Sequence, residues 1–298
     1  MGGEVTLRAV KVVLIHNRHR ERIPSGENSV VDDELVMLRD AGVEITTYFR
    51  SNDEIDHFGP VGLATVPFRQ FRSPGDARAL RSLLRRVRPD VVHLHNPYAL
   101  ISPSVVRVAH GEGVPVVQTV HNYTHVCAAG TYFRFDVNEV CHRCRGRRVL
   151  WPAVRYACYH RSHAQSAVFA AAIMAARPVW PLVSRFLPVS AHVADHLAGM
   201  GVPRSRITIK PNSLPDPGRP SPPGDGFLFA SRLRSEKGVR MLLRAWELSG
   251  LGQKAKLVIA GDGPERPHVE REAHRLQGVE YVGPVPRAMV AELLDRAG

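Results

Sequence analysis

Hydrophobic positions along the chain switch repeatedly between two spacings. A continuous apolar run at residues 11–15 has the length and β-branched content of a strand buried on both faces. Residues 29–40 follow with Val30, Val31, Leu35 and Leu38 at helical spacing, and Gly42 ends that helix. Residues 43–49 read as the next strand and 62–67 as another. Residues 74–87 form a basic amphipathic helix with Leu80, Leu83 and Leu84 on one face, stopped by Pro89. Residues 90–94 then read as strand, 104–110 as helix and 115–120 as strand. Alternation of this kind predicts a parallel sheet covered on both sides, an α/β doubly wound domain.

The rhythm lapses at residues 121–161, a basic insertion rich in Cys and aromatic residues, and resumes with a helix at 162–176. A strand at 185–189, a helix at 190–199 capped by Ser190 and a strand at 207–210 close a first domain spanning 1–210. Residues 211–225 hold six prolines, among them Pro211, Pro215 and Pro217, and read as a linker. The rhythm restarts in 226–298, with strands at 227–230, 256–259 and 280–282 separated by helices at 239–248 and 264–276. About 75 residues is short for a doubly wound domain, so this second Rossmann-like domain is expected to be incomplete.

The length of 298 residues fits two domains, and 44% hydrophobic with 23% charged residues excludes a disordered chain. The polar start does not resemble a secretory signal. The longest apolar run, 164–176, falls short of the ~20 residues a membrane helix needs. A cytoplasmic protein is expected, able to sit peripherally at the cytoplasmic membrane face. A net charge of +12 points to anionic partners: nucleic acid, acidic lipid headgroups or phosphorylated substrates.

One segment narrows that choice. Residues 229–238 leave a strand, turn and enter a helix, carrying Arg232 and Lys237 to the carboxyl end of a parallel sheet. There the helix N-terminus already favours phosphate, and Arg and Lys grip its oxygens in complementary ways. A solvated basic loop is the bland reading of the same residues. The pattern Arg232-Leu233-x-x-x-Lys237-Gly238, followed by Gly261-Asp262-Gly263-Pro264, resembles glycosyltransferase family 4 enzymes of GT-B fold. The segments Pro89-Asp90-Val91-Val92-His93-Leu94-His95-Asn96, Thr119-Val120-His121-Asn122, Lys210-Pro211-Asn212 and Val282-Gly283 agree in order and spacing. The resemblance covers nearly the whole chain from Lys11 onward.

It implies a retaining, metal-independent glycosyltransferase with an N-terminal acceptor-side domain and a C-terminal donor domain. The donor is expected to be a UDP- or GDP-sugar, and the acceptor a glycan or lipid-linked precursor of cell-envelope polysaccharide. Arg232 and Lys237 are expected to neutralise the donor diphosphate, and no Asp-x-Asp metal motif occurs in the chain. The loop 24–28 resembles the family's Gly-rich loop, which implies Gly26 at the phosphates and Glu27 at the cleft, although a plain strand-to-helix turn explains it equally. His121 is expected near the transferred sugar as the catalytic residue, with His95, Asn122 and Asn212 lining the cleft. The chain is expected to end before the position of the family's Glu-x7-Glu motif, so the fragment is expected to be short of full activity.

Cys127, Cys141, Cys144 and Cys158 all lie in the insertion, and the central Cys-x2-Cys supplies one half of a structural zinc site. Reduced thiols packed as small apolar groups are the alternative. Tyr123, Trp151 and Tyr156 interleave with seven arginines there, which suits a membrane surface or lipid-diphosphate acceptor better than nucleic acid. Two competing readings stay open: a non-catalytic nucleotide-binding module, and a zinc-stapled basic protein that binds nucleic acid.

Overall fold

The computed structural model describes residues 8–22, 25–213, 224 and 226–297. Pro24 of the Gly-rich loop and most of the proposed linker lie outside them. The chain divides into two compact units, Met1–Arg134 with Val140–Pro215, and Asp216–Gly298 with Phe135–Glu139.

The first unit opens with β1 (Lys11–Arg18), α1 (Gly26–Asp40), β2 (Glu44–Ser51), α2 (Pro60–Arg69), α3 (Pro74–Val87), β3 (Val91–Leu94), α4 (Ser104–Gly111) and β4 (Val116–Val120). The insertion contributes a small hairpin, β5 (Phe133–Arg134) and β6 (Glu139–Val140), and a short helix, α5 (Trp151–Arg155). α6 (His163–Ala176), β7 (Arg185–Pro188) and α7 (Ala191–Gly199) complete it. The five strands form one parallel sheet in the order β2-β1-β3-β4-β7. Period-two alternation sorts the side chains. Val13, Ile15, Val92 and Leu94 enter a core with Leu80, Leu83 and Leu84 of α3 and Val105 of α4. Leu14 points the other way, against Val31 and Leu35 of α1. Helices therefore cover both faces, and the unit is doubly wound.

Two expected strands are corrected. Residues 62–67 belong to α2, which Pro60 enters at the first turn, where a missing N–H costs nothing. None of its side chains is buried, so the apolar run that resembled a core strand packs in no sheet. Residues 207–210 form only an isolated bridge, Phe186 with Ile207. Thr208 and Lys210 donate backbone hydrogen bonds to Phe186 and Pro188 before Pro211 intervenes. This pins Lys210 beside the end of β7.

The second unit holds β8 (Gly226–Ala230), α8 (Val239–Ser249), β9 (Lys256–Ala260), α9 (Arg266–Arg275), β10 (Val279–Gly283) and α10 (Arg287–Arg296). Its three strands are parallel in the order β10-β9-β8, with Leu243, Trp246, Leu257, Ile259 and Val269 in the core. Residues 287–296, for which the sequence offered no expectation, form a helix without a buried side chain.

Candidate functional site

The residues singled out in the first unit meet at the carboxyl end of its sheet, on the face covered by α1. His16 extends the Leu14 face of β1, and His93 is registered opposite Leu14 across the β1–β3 pair. His95 continues the His93 face, and Thr119 and His121 follow on the neighbouring strand. Ser25 caps α1 by accepting a hydrogen bond from the Asn28 amide. This directs Glu27 and Glu34, seven residues apart and so on one helical face, toward the sheet.

The result is a continuous polar network, most of it buried. Glu34 is 3% exposed, and its carboxylate accepts a hydrogen bond from the Lys210 ammonium at 2.9 Å. Its other oxygen lies 3.3 Å from His93 Nδ1, while His95 Nε2 stands 3.9 Å from the Lys210-bonded oxygen. His93 Nε2 meets the Thr119 hydroxyl at 2.8 Å, and His95 Nδ1 meets His121 Nε2 at 2.9 Å. At the other end, Asn28 Oδ1 accepts from the His19 amide, which fixes the side-chain amide's orientation. His16 Nε2, 3.0 Å from the same oxygen, must therefore donate. His19 Nε2 lies 3.6 Å from Glu27, and Asn122 donates to the same Glu27 oxygen at 3.4 Å.

Burial keeps these imidazoles neutral. It pushes His93 and His16 each down to about 4 and His95 well below the ordinary range, with His121 moved in the same direction. Burial alone would raise the Glu27 carboxyl, but the hydrogen bond with His19 and the neighbouring His121, His19 and His16 leave it below its ordinary value. A carboxylate and neutral histidines therefore share the wall of one recess. The recess is lined by Glu27, His95, His121, Asn122, Gln118 and Trp180 among others.

The geometry thus brings together Glu27, His95, His121 and Asn122. Asn212 is exposed and outside the recess lining. Gly26 opens α1, and a Cβ added there would meet nothing within 4 Å. Glu34 and Lys210 went unrecognised in the sequence. The available signals were the seven-residue spacing of Glu34 from Glu27 and a lone Lys between a strand-like run and a proline. Glu34, His93 and His95 hold ligand atoms within 4.8 Å of one another, the arrangement of a metal site. The Lys210 ammonium already supplies the cation that this carboxylate requires.

In the second unit, β8 runs out through Ser231 and Arg232 to a 3-10 turn at Ser235–Lys237, and Gly238 begins α8 in the left-handed region at φ 78°. Leu233 is fully buried and anchors the turn, its amide donating to the Asp262 carbonyl. Gly261 and Gly263 make this close approach possible. A Cβ at Gly261 would lie 1.9 Å from the Ser231 carbonyl oxygen, and one at Gly263 would lie 2.4 Å from that of Leu233. Arg234 pairs with Glu236 and Arg240 with Glu265. Arg232 and Lys237 are exposed, and neither has an acidic partner among the described residues.

The family described as Glycosyl transferase 4-like domain matches residues 25–213, and that described as Glycosyl transferases group 1 matches residues 224–298. No curated protein matches the chain. Among solved structures it is similar to the apo form of the lipopolysaccharide outer core galactosyltransferase WaaB. That pair is 14% identical with a TM-score of 0.51, covering 97% of this chain and 72% of that one. It is likewise similar to Anabaena Alr3699/HepE in complex with UDP, 14% identical with a TM-score of 0.53 and the same coverage. The UDP-GlcNAc 2-epimerase from Methanocaldococcus jannaschii is 10% identical with a TM-score of 0.50, covering 97% of this chain and 77% of its own. Identities this low speak to fold alone, and a fold shared by a transferase and an epimerase leaves the chemistry open. The matched families give the assignment: the chain has the GT-B fold and belongs to the glycosyl transferase 4-like family.

Proposed function

We propose that the protein transfers a sugar from a nucleoside-diphosphate donor to a glycan or lipid-linked acceptor, with retention of anomeric configuration and without a catalytic metal. The observation that carries this reading is the pair of exposed cations, Arg232 and Lys237, without an acidic partner among the described residues, on a turn whose other cations are paired. When the bond between the anomeric carbon and the diphosphate breaks, the electron pair leaves on a phosphate oxygen. Stabilising that charge is the central demand on the protein. A guanidinium, an ammonium and the N-terminus of an 11-residue helix together supply positive potential suited to it. The UDP in the Alr3699/HepE complex is consistent with such a donor.

The first unit supplies hydrogen-bonding groups fixed by burial. His95 Nδ1 and His121 Nε2 share one hydrogen bond at 2.9 Å, which leaves His121 Nδ1 to meet a sugar hydroxyl. Glu27 is an acceptor in the same recess.

Calorimetric titration of the chain with UDP and GDP tests the donor half. Binding of one of them, lost in Arg232→Ala and Lys237→Ala, is the expected result. Affinity unchanged in both variants would sink the assignment. Transfer that persists in excess EDTA, with a product whose anomeric signals by NMR match the donor's configuration, is expected for the chemistry. Conversion of a UDP-sugar to its 2-epimer without transfer would replace it.

A further inference from the structure

The proposed activity leaves one built feature unused, the four cysteines of the insertion. We infer that Cys127, Cys141, Cys144 and Cys158 bind one zinc ion as thiolates and thereby hold the insertion against the strand end that carries His121 and Asn122.

All four line a single recess together with Tyr132, Ala153 and Tyr156, although 31 residues separate the first from the last. The hairpin β5–β6 achieves the first convergence. It returns the chain so that the Cys141 amide donates to the Tyr132 carbonyl at 2.6 Å. A tight turn follows, in which the Arg145 amide donates to the His142 carbonyl, and it presents Cys141 and Cys144 from one knuckle. The end of α5 achieves the second, where the Cys158 amide donates to the Ala153 carbonyl. None of the four is disulfide-bonded, and Cys127 and Cys144 are each only 8% exposed.

Zinc suits a recess lined by four cysteines, being redox-inert, tetrahedral and at home with thiolates.

The local fold also calls for a cross-link. Seven non-glycine residues among those described have positive φ, and five of them, Tyr132, Asn138, Ala157, His160 and Arg161, lie in the insertion. Left-handed backbone at such residues costs about 1 kcal/mol each. Regular structure in this segment amounts to two strands of two residues and a helix of five, beside a small apolar cluster of Val126, Ala128, Leu150 and Ala153 against Phe169 and Ile173 of α6. The sulfurs do not form a group within 4.8 Å as Glu34, His93 and His95 do. With Zn–S bonds of about 2.3 Å, an ion held by all four would bring them to about 3.8 Å apart, so metal binding would tighten this recess. The connection to the proposed site is direct, since the Cys127 amide donates to the Tyr123 carbonyl at 2.8 Å, immediately after Asn122.

The test is the metal content of the full chain, purified under reducing conditions without chelator. Elemental analysis should give about one zinc per chain. A mercurial that blocks thiols should release that zinc in step with the loss of all four. Cys144→Ser should reduce zinc to trace levels, whereas Cys158→His, which exchanges one zinc ligand for another, should retain it. Arg232→Ala should leave it untouched. Wild-type chain that carries no zinc and shows four free thiols on denaturation would overturn the proposal. So would two disulfides by mass, or iron with inorganic sulfide in place of zinc.

Discussion

At the β8–α8 turn, Arg232 and Lys237 stand exposed and without an acidic partner among the described residues, held in place by buried Leu233 and by backbone contacts to Gly261 and Gly263. At the end of the first sheet, Glu34, Lys210, His93, His95 and His121 are joined side chain to side chain, and their positions depend on one another. The first arrangement stores little energy in its charges. The second draws its geometry from burial, so its residues depend on one another structurally. Changes in the two places should therefore have different signatures, and that contrast can be broken or sharpened by experiment.

The largest expected effect is that of acid. His16 and His93 are depressed to about 4 and His125 to about 3, all by burial and all in the first unit. In the unfolded chain these groups protonate as pH falls through about 6.5, while in the folded unit His16 and His93 resist until about pH 4 and His125 until about pH 3. Their contribution to stability is therefore complete above about pH 6.5 and is lost on the way down to about 3. Each is worth up to about 3 kcal/mol, so three together rival the whole stability of a domain. Hydrogen exchange followed by mass spectrometry should show peptides of β3 and β4 losing protection across this window before those of β8 and β9. Simultaneous loss in both sheets would remove the distinction between the units.

Next in size is Glu34→Ala, which strands Lys210 and removes the carboxylate that orients His93 and His95. Breaking one side of a buried ion pair typically costs about 3–5 kcal/mol. The loss should be strongly non-additive with Lys210→Ala in a double-mutant cycle read by denaturant unfolding. Additivity would mean that the two groups do not act as a pair.

These two regions also differ in how far the sequence revealed them. Arg232 and Lys237 were legible because local chain direction, strand to turn to helix, suffices to place them. His95 and His121 were legible from the period-two face of a strand and its end. Glu34 was not, because it sits in an ordinary helix and acquires meaning only when α1 lies over the histidine face. Lys210 escaped because a bridge of one residue pair beside β7, not a strand of its own, holds it there. Helix α2 was misread for a related reason: residues 62–67 have strand-like composition, and Pro60 and the lack of any buried face, which argue otherwise, are weak signals one at a time. Long-range packing decides all three.

Of intermediate size are Arg232→Ala and Lys237→Ala. Each is expected to weaken nucleoside-diphosphate binding roughly 10- to 100-fold, the range for losing a charge-assisted contact of about 1.5–3 kcal/mol. Because neither side chain has an acidic partner among the described residues, unfolding stability should stay within about 0.5 kcal/mol of wild type. A variant that lost stability along with affinity would show that the turn, like the recess, is a structural network.

The smallest effect separates the two kinds of region most sharply, because it is made where they meet in character: the exposed first residue of α1. Gly26 is helical, and an added Cβ meets no atom of the chain within 4 Å. Gly26→Ala should therefore stabilise α1 by up to about 0.5 kcal/mol, through the lower backbone entropy of alanine in the unfolded state. If the space over this helix N-terminus receives a donor phosphate, the same methyl group must weaken binding. A stabilised protein with an unchanged kcat and a raised KM for the donor is the expected outcome. A stabilised protein with unchanged KM would make Gly26 a plain helix start and leave phosphate recognition to the Arg232 and Lys237 turn alone.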